Sequence, residues 1–377
     1  MNYVMLKDVC AINMGQSPDS KSYNDTGEGV PFFQGNADFG VRYPVTRKWC
    51  SEPTKMAAPN DILISVRAPI GAMNYAKENC CIGRGLAALT PDKSKVSPEF
   101  IFWLLKEKNA ELNSKGTGST FKAISRKVLE EIMIPEISLE KQIEFSKILE
   151  RVYGVIQARK EELQKLDELI RARFVEMFGD ESNPLRWDVV NVEDVATVQV
   201  DVVIKPAQYY TDAANGVRAF RSLNIGPMNI KDNDWVYFSE EGNSKNAKSI
   251  LKENDLLIVR SGAPGTACVV TKQYAGCNAI DIIIAHPDMN KVNPYYLCAY
   301  TNFPHGKRQI DEGTGGAAQQ HFNVGKYNKL QLMLPPIEKQ DEFVVFIEQV
   351  NKSKLKVEES LKKMETLQKS LMQQYFG

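Results

Sequence analysis

One segment of the chain resembles a catalytic loop for methyl transfer. Asn293-Pro294-Tyr295-Tyr296 is similar to the Asn/Asp-Pro-Pro-aromatic loop that holds a target amine, but its second proline is missing. The sequence also has no clear Phe-x-Gly-x-Gly turn for a methyl-donor cofactor. The equivalent segment nearer the N-terminus, residues 97–100 (Ser-Pro-Glu-Phe), lacks the carboxamide altogether. A polar helix cap followed by proline at the first helical position explains both segments, so we predict two helix starts here.

Other candidate motifs are equally incomplete. Pro-Asp at 91–92 and at 287–288 could begin a nuclease carboxylate motif, but no suitably placed Glu-x-Lys follows. Gly-Thr-Gly at 116–118 and at 313–315 is not followed by the Gly-Lys-Ser/Thr of a phosphate-binding loop. The histidines form no recognisable nucleophile or metal cluster; they are His286, His305 and His321. The sequence therefore predicts a chain with no catalytic site, no metal and no cofactor of its own.

The composition is that of a globular protein of two or three domains. The chain has 377 residues, of which 43% are hydrophobic and 25% charged. Its 47 Lys and Arg balance 47 Asp and Glu, so the net charge is zero. A protein that neutralises phosphates alone normally has a basic excess, so zero net charge favours local basic loops or a partner that supplies charge.

The cysteines and the chain start indicate the cellular compartment. Seven scattered cysteines form no Cys-x-x-Cys motif and no zinc-site spacing with histidine, so we expect small buried side chains in a reducing environment. No apolar run is long enough to span a bilayer, and the first residues lack the pattern of a signal peptide. We therefore expect a cytoplasmic protein without a membrane association.

The two halves of the chain are related by an internal duplication. Matching segments occur in the same order, and the offset between them drifts slowly, as small loop insertions would produce. The matching pairs are 6–9 with 192–195, 60–64 with 254–258, 91–98 with 287–294, 116–118 with 313–315, 140–142 with 338–340, and 178–179 with 376–377. We conclude that the chain is a tandem repeat.

Each repeat begins with a mixed globular part. Apolar runs at 61–66, 255–259 and 279–285 are bounded by turn residues and predict short buried strands. Ser97 and Asn293 are predicted N-caps of short apolar helices.

Each repeat ends in a predicted long helix. Apolar residues recur there at alternating spacings of four and three, as positions a and d of a coiled coil require. The two series are Phe145, Leu149, Val152, Ile156, Arg159, Leu163, Leu166, Ile170, Arg173, Met177 and Phe343, Ile347, Val350, Lys354, Val357, Leu361, Met364, Gln368, Leu371, Tyr375. Either the two stripes pair with each other around a pseudo-twofold axis, or each packs on its own globular part. The heptads alone leave parallel and antiparallel pairing open.

Polar and basic loops of the globular parts are the candidate ligand-binding segments. Arg, Lys, Gln and Asn can bind base edges, whereas Ser, Thr and Gly-rich backbone suit phosphates. The segments at 116–125 and 313–325 stand out, because both repeats keep a polar loop there while the residues differ. The predicted DNA-binding residues are Gln16, Lys21, Gln34, Asn36, Arg67, Arg84, Ser119, Thr120, Lys122, Arg221, Asn224, Arg260, Lys307, Gln319, Gln320 and His321.

The whole chain resembles the specificity subunits of type I restriction–modification systems. The resemblance is carried by residues 15–40 (GQSPDSKSYNDTGEGVPFFQGNADFG), by the Gly-Thr-Gly-Ser-Thr loop and by the Phe-Gly repeat ends. It is also carried by Ile-Pro or Leu-Pro-Pro followed by Glu-Lys-Gln at the start of each long helix. One departure is that Gln142 and Gln340 follow lysine, where the family more often has Glu-Gln.

The resemblance implies an α+β fold with two mixed α/β target-recognition domains. These are residues 1–137 and 180–335, followed by long helices at 138–179 and 336–377 that pair as an antiparallel coiled coil. It further implies a bipartite target in double-stranded DNA, two methyltransferase subunits that use S-adenosylmethionine to methylate adenine, and motor–nuclease restriction subunits.

Three other functions remain open on the sequence. The chain could be the recognition subunit of a fused methyltransferase–nuclease, a self-contained DNA enzyme, or a coiled-coil scaffold that does not contact DNA.

Overall fold

The computed structural model describes residues 2–118, 122–200, 203, 205–313 and 322–376. The chain divides into two compact units, the first formed by Met1–Glu161 with Glu358–Gly377 and the second by Glu162–Val357. The boundaries between the two units fall inside the long helices. The domain boundaries predicted from the sequence instead lie at the ends of those helices.

Unit 1 is a mixed α/β module. Its elements are β1 (Tyr3–Met5), α1 (Leu6–Val9), β2 (Cys10–Met14), β3 (Tyr23–Asn24), β4 (Val30–Phe33), β5 (Trp49–Cys50), β6 (Met56–Ala57), β7 (Ile62–Ser65), β8 (Met73–Tyr75), β9 (Cys80–Ile82), β10 (Leu86–Pro91), α2 (Pro98–Glu107), α3 (Asn109–Ser114), α4 (Arg126–Glu130), β11 (Met133–Pro135) and the first part of α5 (Leu139–Phe178). Short 3₁₀ turns lie at Ser20–Ser22 and Asn36–Asp38.

The strands of unit 1 form two main sheets. An antiparallel sheet has the order β2-β10-β7-β8, and a second sheet has the order β3-β5-β4-β9-β6. In the second sheet β4 and β9 run parallel, with Phe33 opposite Ile82. The strand predicted at 61–66 is β7, and all four of its residues are buried.

Unit 2 repeats this arrangement. Its elements are the end of α5, β12 (Val189–Asn191), β13 (Ala196–Val200), β14 (Tyr210–Thr211), β15 (Val217–Phe220), β16 (Ile225–Gly226), β17 (Asn229–Ile230), β18 (Val236–Phe238), α6 (Glu240–Lys245), β19 (Leu256–Val259), β20 (Ala267–Val269), β21 (Asn278–Ala279), β22 (Ile282–Pro287), α7 (Pro294–Asn302), α8 (Pro304–Gly313), α9 (Val324–Asn328), β23 (Gln331–Met333) and the first part of α10 (Ile337–Phe376). Its 3₁₀ turns lie at Val192–Asp194, Pro206–Tyr209, Ser222–Asn224, Ala247–Ser249 and Lys272–Tyr274.

The strand order of the two units matches in both main sheets, except that β6 of unit 1 has no counterpart among the described strands of the second sheet of unit 2. The sheet β13-β22-β19-β20 repeats β2-β10-β7-β8, and β14-β18-β15-β21 repeats β3-β5-β4-β9 with the same parallel pair at its end. The duplication predicted from the sequence is therefore present in the fold. One predicted strand is divided: residues 279–285 break between β21 and β22, because Asp281 has a φ of 57° in the left-handed region.

Both predicted helix caps are confirmed. Ser97 Oγ accepts a hydrogen bond from the Phe100 N–H at 3.4 Å, and Asn293 Oδ1 accepts one from the Tyr295 N–H at 2.9 Å. Proline follows each cap at the start of α2 and α7. The Asn-Pro-Tyr-Tyr segment thus begins a helix.

The glutamine of each Glu-Lys-Gln motif ties a long helix to one of these caps. Gln142 Oε1 accepts the Ser97 N–H at 2.9 Å, and its Nε2 donates to the Ile137 carbonyl at 3.0 Å. Gln340 makes the same bonds to the Asn293 N–H and the Pro335 carbonyl, both at 2.8 Å. Both glutamines are buried. The motif therefore fixes the start of each long helix on its own module.

The predicted long helices are confirmed as α5 and α10, each of 40 residues. In unit 1 Leu149 of α5 is fully buried in the module core. There Phe145 also stacks on Tyr375 of α10 with ring centroids 3.9 Å apart, and Lys160 Nζ lies 3.4 Å from Glu365 Oε1. The stripe of α5 thus packs both on the module and on α10 within this unit.

Unit 2 has the corresponding contacts. The rings of Phe174 in α5 and Phe343 in α10 lie 5.3 Å apart in the core of the module. Lys354, a polar member of the α10 stripe, places Nζ 2.6 Å from Asp167 Oδ1 of α5.

Candidate nucleic-acid interface

A pocket of about 490 Å³ on unit 1 brings together four of the predicted DNA-binding residues. Gln34 and Asn36 follow β4, Arg84 follows β9 and Arg67 follows β7. Because β4 and β9 are parallel neighbours, their carboxyl ends lie at one sheet edge and place Gln34 beside Arg84. We call the surface formed by Gln34, Asn36, Arg47, Lys48, Arg67 and Arg84 the basic pocket.

Two members of the basic pocket were missed by sequence reasoning. Arg47 and Lys48 line the same cavity and are exposed. They lie outside the Gly-rich loops of the first repeat. The adjacent basic pair directly before Trp49–Cys50 is the signal that could have identified them.

The turn after β4 shapes one wall of the basic pocket. The Asp38 carboxylate accepts hydrogen bonds from the N–H groups of Gln34 at 2.8 Å and Gly35 at 3.3 Å. On the opposite side the backbone of Gly85 approaches Gln34 so closely that a Cβ would lie 2.4 Å from the Gln34 carbonyl oxygen. Glycine is therefore required at 85 to bring the two loops together.

The electrostatics of the basic pocket are positive. Arg47 lies 3.9 Å from Asp38 and donates to the Ala37 carbonyl at 2.8 Å. Arg67 and Arg84 are exposed, and no carboxylate of the described residues lies within ion-pair distance of either. Such exposed guanidinium groups can bind phosphate or the guanine edge, and Gln34 and Asn36 can bind adenine.

The remaining predicted residues of unit 1 have different positions. Lys122 is exposed, and its carbonyl accepts the Ala68 N–H at 3.0 Å, which places it beside Arg67. Gln16 is exposed, and its N–H donates to the Ile82 carbonyl at the end of β9. Lys21 is exposed in a 3₁₀ turn. Ser119 and Thr120 lie outside the described residues.

In unit 2 the predicted residues of the corresponding turn have structural contacts. Asn224 is fully buried; its Oδ1 accepts the Arg221 N–H at 2.9 Å and its Nδ2 donates to the Asn233 carbonyl at 2.7 Å. The Arg221 side chain donates to the carbonyl of Asp234. Asn224 thus holds the turn and presents no surface to a ligand.

Two further predicted residues of unit 2 are engaged by their neighbours. Arg260 pairs with Asp281, and only 16% of its side chain is exposed. Lys307 donates to the Pro264 carbonyl at 2.7 Å and lies 3.1 Å from Asp311. Gln319, Gln320 and His321 fall outside the part of the chain that the structure describes.

The other reactive side chains have structural roles. His286 Nδ1 lies 2.5 Å from Asp255 Oδ1, and His305 is buried with Nε2 3.0 Å from the Gly179 carbonyl. All seven cysteines are free and buried. Within the described ranges no three His, Cys, Asp or Glu side chains are grouped to hold a metal ion. No helix in these ranges is apolar enough over a sufficient length to cross a lipid bilayer.

The chain matches one protein family in both halves. The family model for the type I restriction modification DNA specificity domain matches residues 1–168 and again residues 184–366. A putative type I restriction enzyme MjaX specificity subunit from Methanocaldococcus jannaschii is 44% identical over 156 residues, which span 41% of this chain and 37% of that protein. The type I restriction enzyme EcoBI specificity subunit from Escherichia coli is 17% identical over 92% of this chain and 78% of its own length.

A solved structure supports the fold. The crystal structure of a type I restriction-modification S subunit from M. genitalium is 13% identical, covers 100% of this chain and 96% of its own, and has a TM-score of 0.62. At that identity the likeness concerns the fold alone. The twofold match of the family model is decisive for membership: this chain belongs to the family of type I restriction–modification specificity subunits, with two DNA specificity domains in tandem.

Proposed function

We propose that the chain is the DNA sequence-recognition subunit of a type I restriction–modification system, with a bipartite and asymmetric target. The observation that carries this proposal is the repeated sheet topology with different side chains at equivalent loop positions. Arg84 follows β9, for example, whereas Asp281 follows β21. Two modules with the same sheet topology but different loop side chains can bind two DNA half-sites of different sequence.

The long helices are proposed to pair as an antiparallel coiled coil that spaces the two modules. In support, Phe145 and Lys160 of α5 meet Tyr375 and Glu365 of α10, so the order along one helix is reversed along the other. At 1.5 Å per residue, 40 residues span about 60 Å, whereas half-sites lie about 34–36 Å apart per DNA turn. The pair of rods would relate the modules by a pseudo-twofold axis.

The chemistry is proposed to belong to partners in the cytoplasm. Two methyltransferase subunits that use S-adenosylmethionine would flip the target adenines out of the stack and methylate them. Motor–nuclease subunits would join for cleavage. In support, His286 pairs with Asp255 and Asn293 caps α7, so each of these side chains has a structural partner.

Adenine methylation mapped across a genome with and without this gene tests the proposal. We expect one bipartite motif to lose methylation when the gene is deleted. Complementation with the intact gene should restore the same motif. If no methylated motif changes while the partner methyltransferase is expressed, the proposed function is wrong.

A further inference from the structure

The zero net charge of the chain conceals an opposite bias in its two modules. Residues 1–137 contain 17 Lys and Arg against 15 Asp and Glu, whereas residues 180–335 contain 15 against 17. The two helical segments, 138–179 and 336–377, are each balanced. The first module is therefore slightly basic and the second slightly acidic.

The bias is sharpest at one pair of equivalent positions. The Gly83 N–H donates to the Phe33 carbonyl at 2.8 Å, and the Ile280 N–H donates to the Phe220 carbonyl at 2.9 Å. The residue after each donor therefore begins the connection to the next strand, which has two residues before β10 at Leu86 and one residue before β22 at Ile282. That residue is Arg84 in the first module and Asp281 in the second.

Asp281 also neutralises the arginine beside it. It pairs with Arg260, whose side chain is 16% exposed, so neither charge is fully available to a ligand. The first module has Val66 at the position of Arg260, and its exposed Arg67 has no carboxylate at ion-pair distance among the described residues.

Other arginines of the second module have carboxylate neighbours as well. Arg218 Nη1 lies 3.9 Å from Asp232 Oδ1, and Arg308 Nη2 lies 3.3 Å from Glu181 Oε1. These exposed pairs lower the local positive potential, although each contributes little to stability. Arg42, Arg47 and Arg126 of the first module also lie within ion-pair distance of carboxylates, so the contrast rests on Arg67 and Arg84 in the first module and on Arg260 in the second.

We infer that DNA binding by this chain is electrostatically one-sided: the basic pocket of the first module neutralises phosphates, and the second module contacts DNA with little charge neutralisation. This inference rests on the proposed DNA-binding function. Each phosphate that a cation neutralises contributes about 0.9 to the slope of log Kobs against log salt concentration. We therefore expect the salt dependence of DNA binding to come mainly from cations of the first module.

The test compares arginine substitutions in the two modules. The full chain, assembled with its methyltransferase, is titrated against a fluorescent duplex of mixed sequence at several KCl concentrations. Arg67→Gln combined with Arg84→Gln is expected to make the slope less steep by about 1.8, which is about 0.9 for each arginine. The matched control, Arg218→Gln combined with Arg308→Gln, is expected to leave the slope unchanged. Thermal unfolding of both variants checks that these surface changes leave the fold intact.

Asp281→Asn gives a test in the opposite direction. Removal of this carboxylate leaves Arg260 uncompensated, so the slope is expected to steepen by up to about 0.9. The inference is overturned if the double substitution of Arg218 and Arg308 reduces the steepness of the slope as much as the double substitution of Arg67 and Arg84. It is also overturned if the substitution of Arg67 and Arg84 leaves the slope unchanged. Neither result would affect the methylation mapping, in which deletion of the gene removes one methylated motif. Failure of this inference can therefore be distinguished from failure of the proposed function.

Discussion

The cysteines illustrate at the residue scale how burial removes reactivity. All seven are free and buried, and desolvation raises the pKa of Cys10, Cys80 and Cys268 to about 12. At these three positions thiolate, the reactive form, is therefore scarce at pH 8. We expect a thiol reagent to modify the native chain slowly and all seven cysteines after denaturation. Rapid stoichiometric modification of the native protein would show that at least one thiol is accessible.

Gln142 is expected to stabilise unit 1 through side-chain hydrogen bonds to the Ser97 N–H and to the carbonyls of Ile137 and Lys95. Its replacement by alanine leaves the buried Ser97 N–H without its acceptor and removes the donor to the Ile137 carbonyl. An unsatisfied buried group costs about 1–3 kcal/mol, so Gln142→Ala should lower the free energy of unfolding by about 2 kcal/mol or more. Urea denaturation measures this change.

Gln164→Ala is the matched control for that experiment. Gln164 is exposed on the same helix, and its Nε2 donates to the Glu168 side chain at 2.9 Å. Its loss should change the stability by less than about 0.5 kcal/mol. Equal effects of the two substitutions would contradict a specific role for Gln142.

At the scale of elements, local signals were sufficient to predict helices but insufficient to predict the pocket. Helix α5 begins and ends within one residue of the predicted 138–179, because periodicity and helix breakers act along the chain. The basic pocket depends on the parallel pairing of β4 with β9, which are distant in sequence. No local pattern encodes that register, so the basic pair at Arg47 could mark a candidate residue but not its position beside Arg84, and the burial of Asn224 could not be anticipated.

The heptad stripe of α10 predicts which side chains stabilise unit 2. Ile347 belongs to the stripe and is 2% exposed in the core, whereas Val345 on the same helix is 54% exposed. Ile347→Ala should lower the free energy of unfolding by about 2–4 kcal/mol, because it leaves a cavity. Val345→Ala should change it by less than about 0.5 kcal/mol. Calorimetry of the full chain measures both, and a larger loss at Val345 would show that the stripe is misassigned.

At the scale of the whole molecule, duplication makes the proposed recognition modular. Each module has its own sheets, its own capped helix and its own buried glutamine that ties a long helix to that cap. The loops of one module can therefore change without altering the core of the other. Divergence between the repeats would then generate an asymmetric target from one ancestral design.

Exchange of residues 1–137 for the corresponding module of another specificity subunit tests this modularity. Because Gln142 and the rest of α5 are retained, the exchanged module should dock on the same helix start through its own N-cap backbone. We expect methylation mapping to show a new bipartite motif in which one half has changed and the other half and the gap length are preserved. Exchange of residues 180–335 should change the opposite half. A change in both halves after a single exchange would mean that the modules do not read DNA independently, and a change in gap length would mean that the globular modules, and not the helices alone, set the spacing.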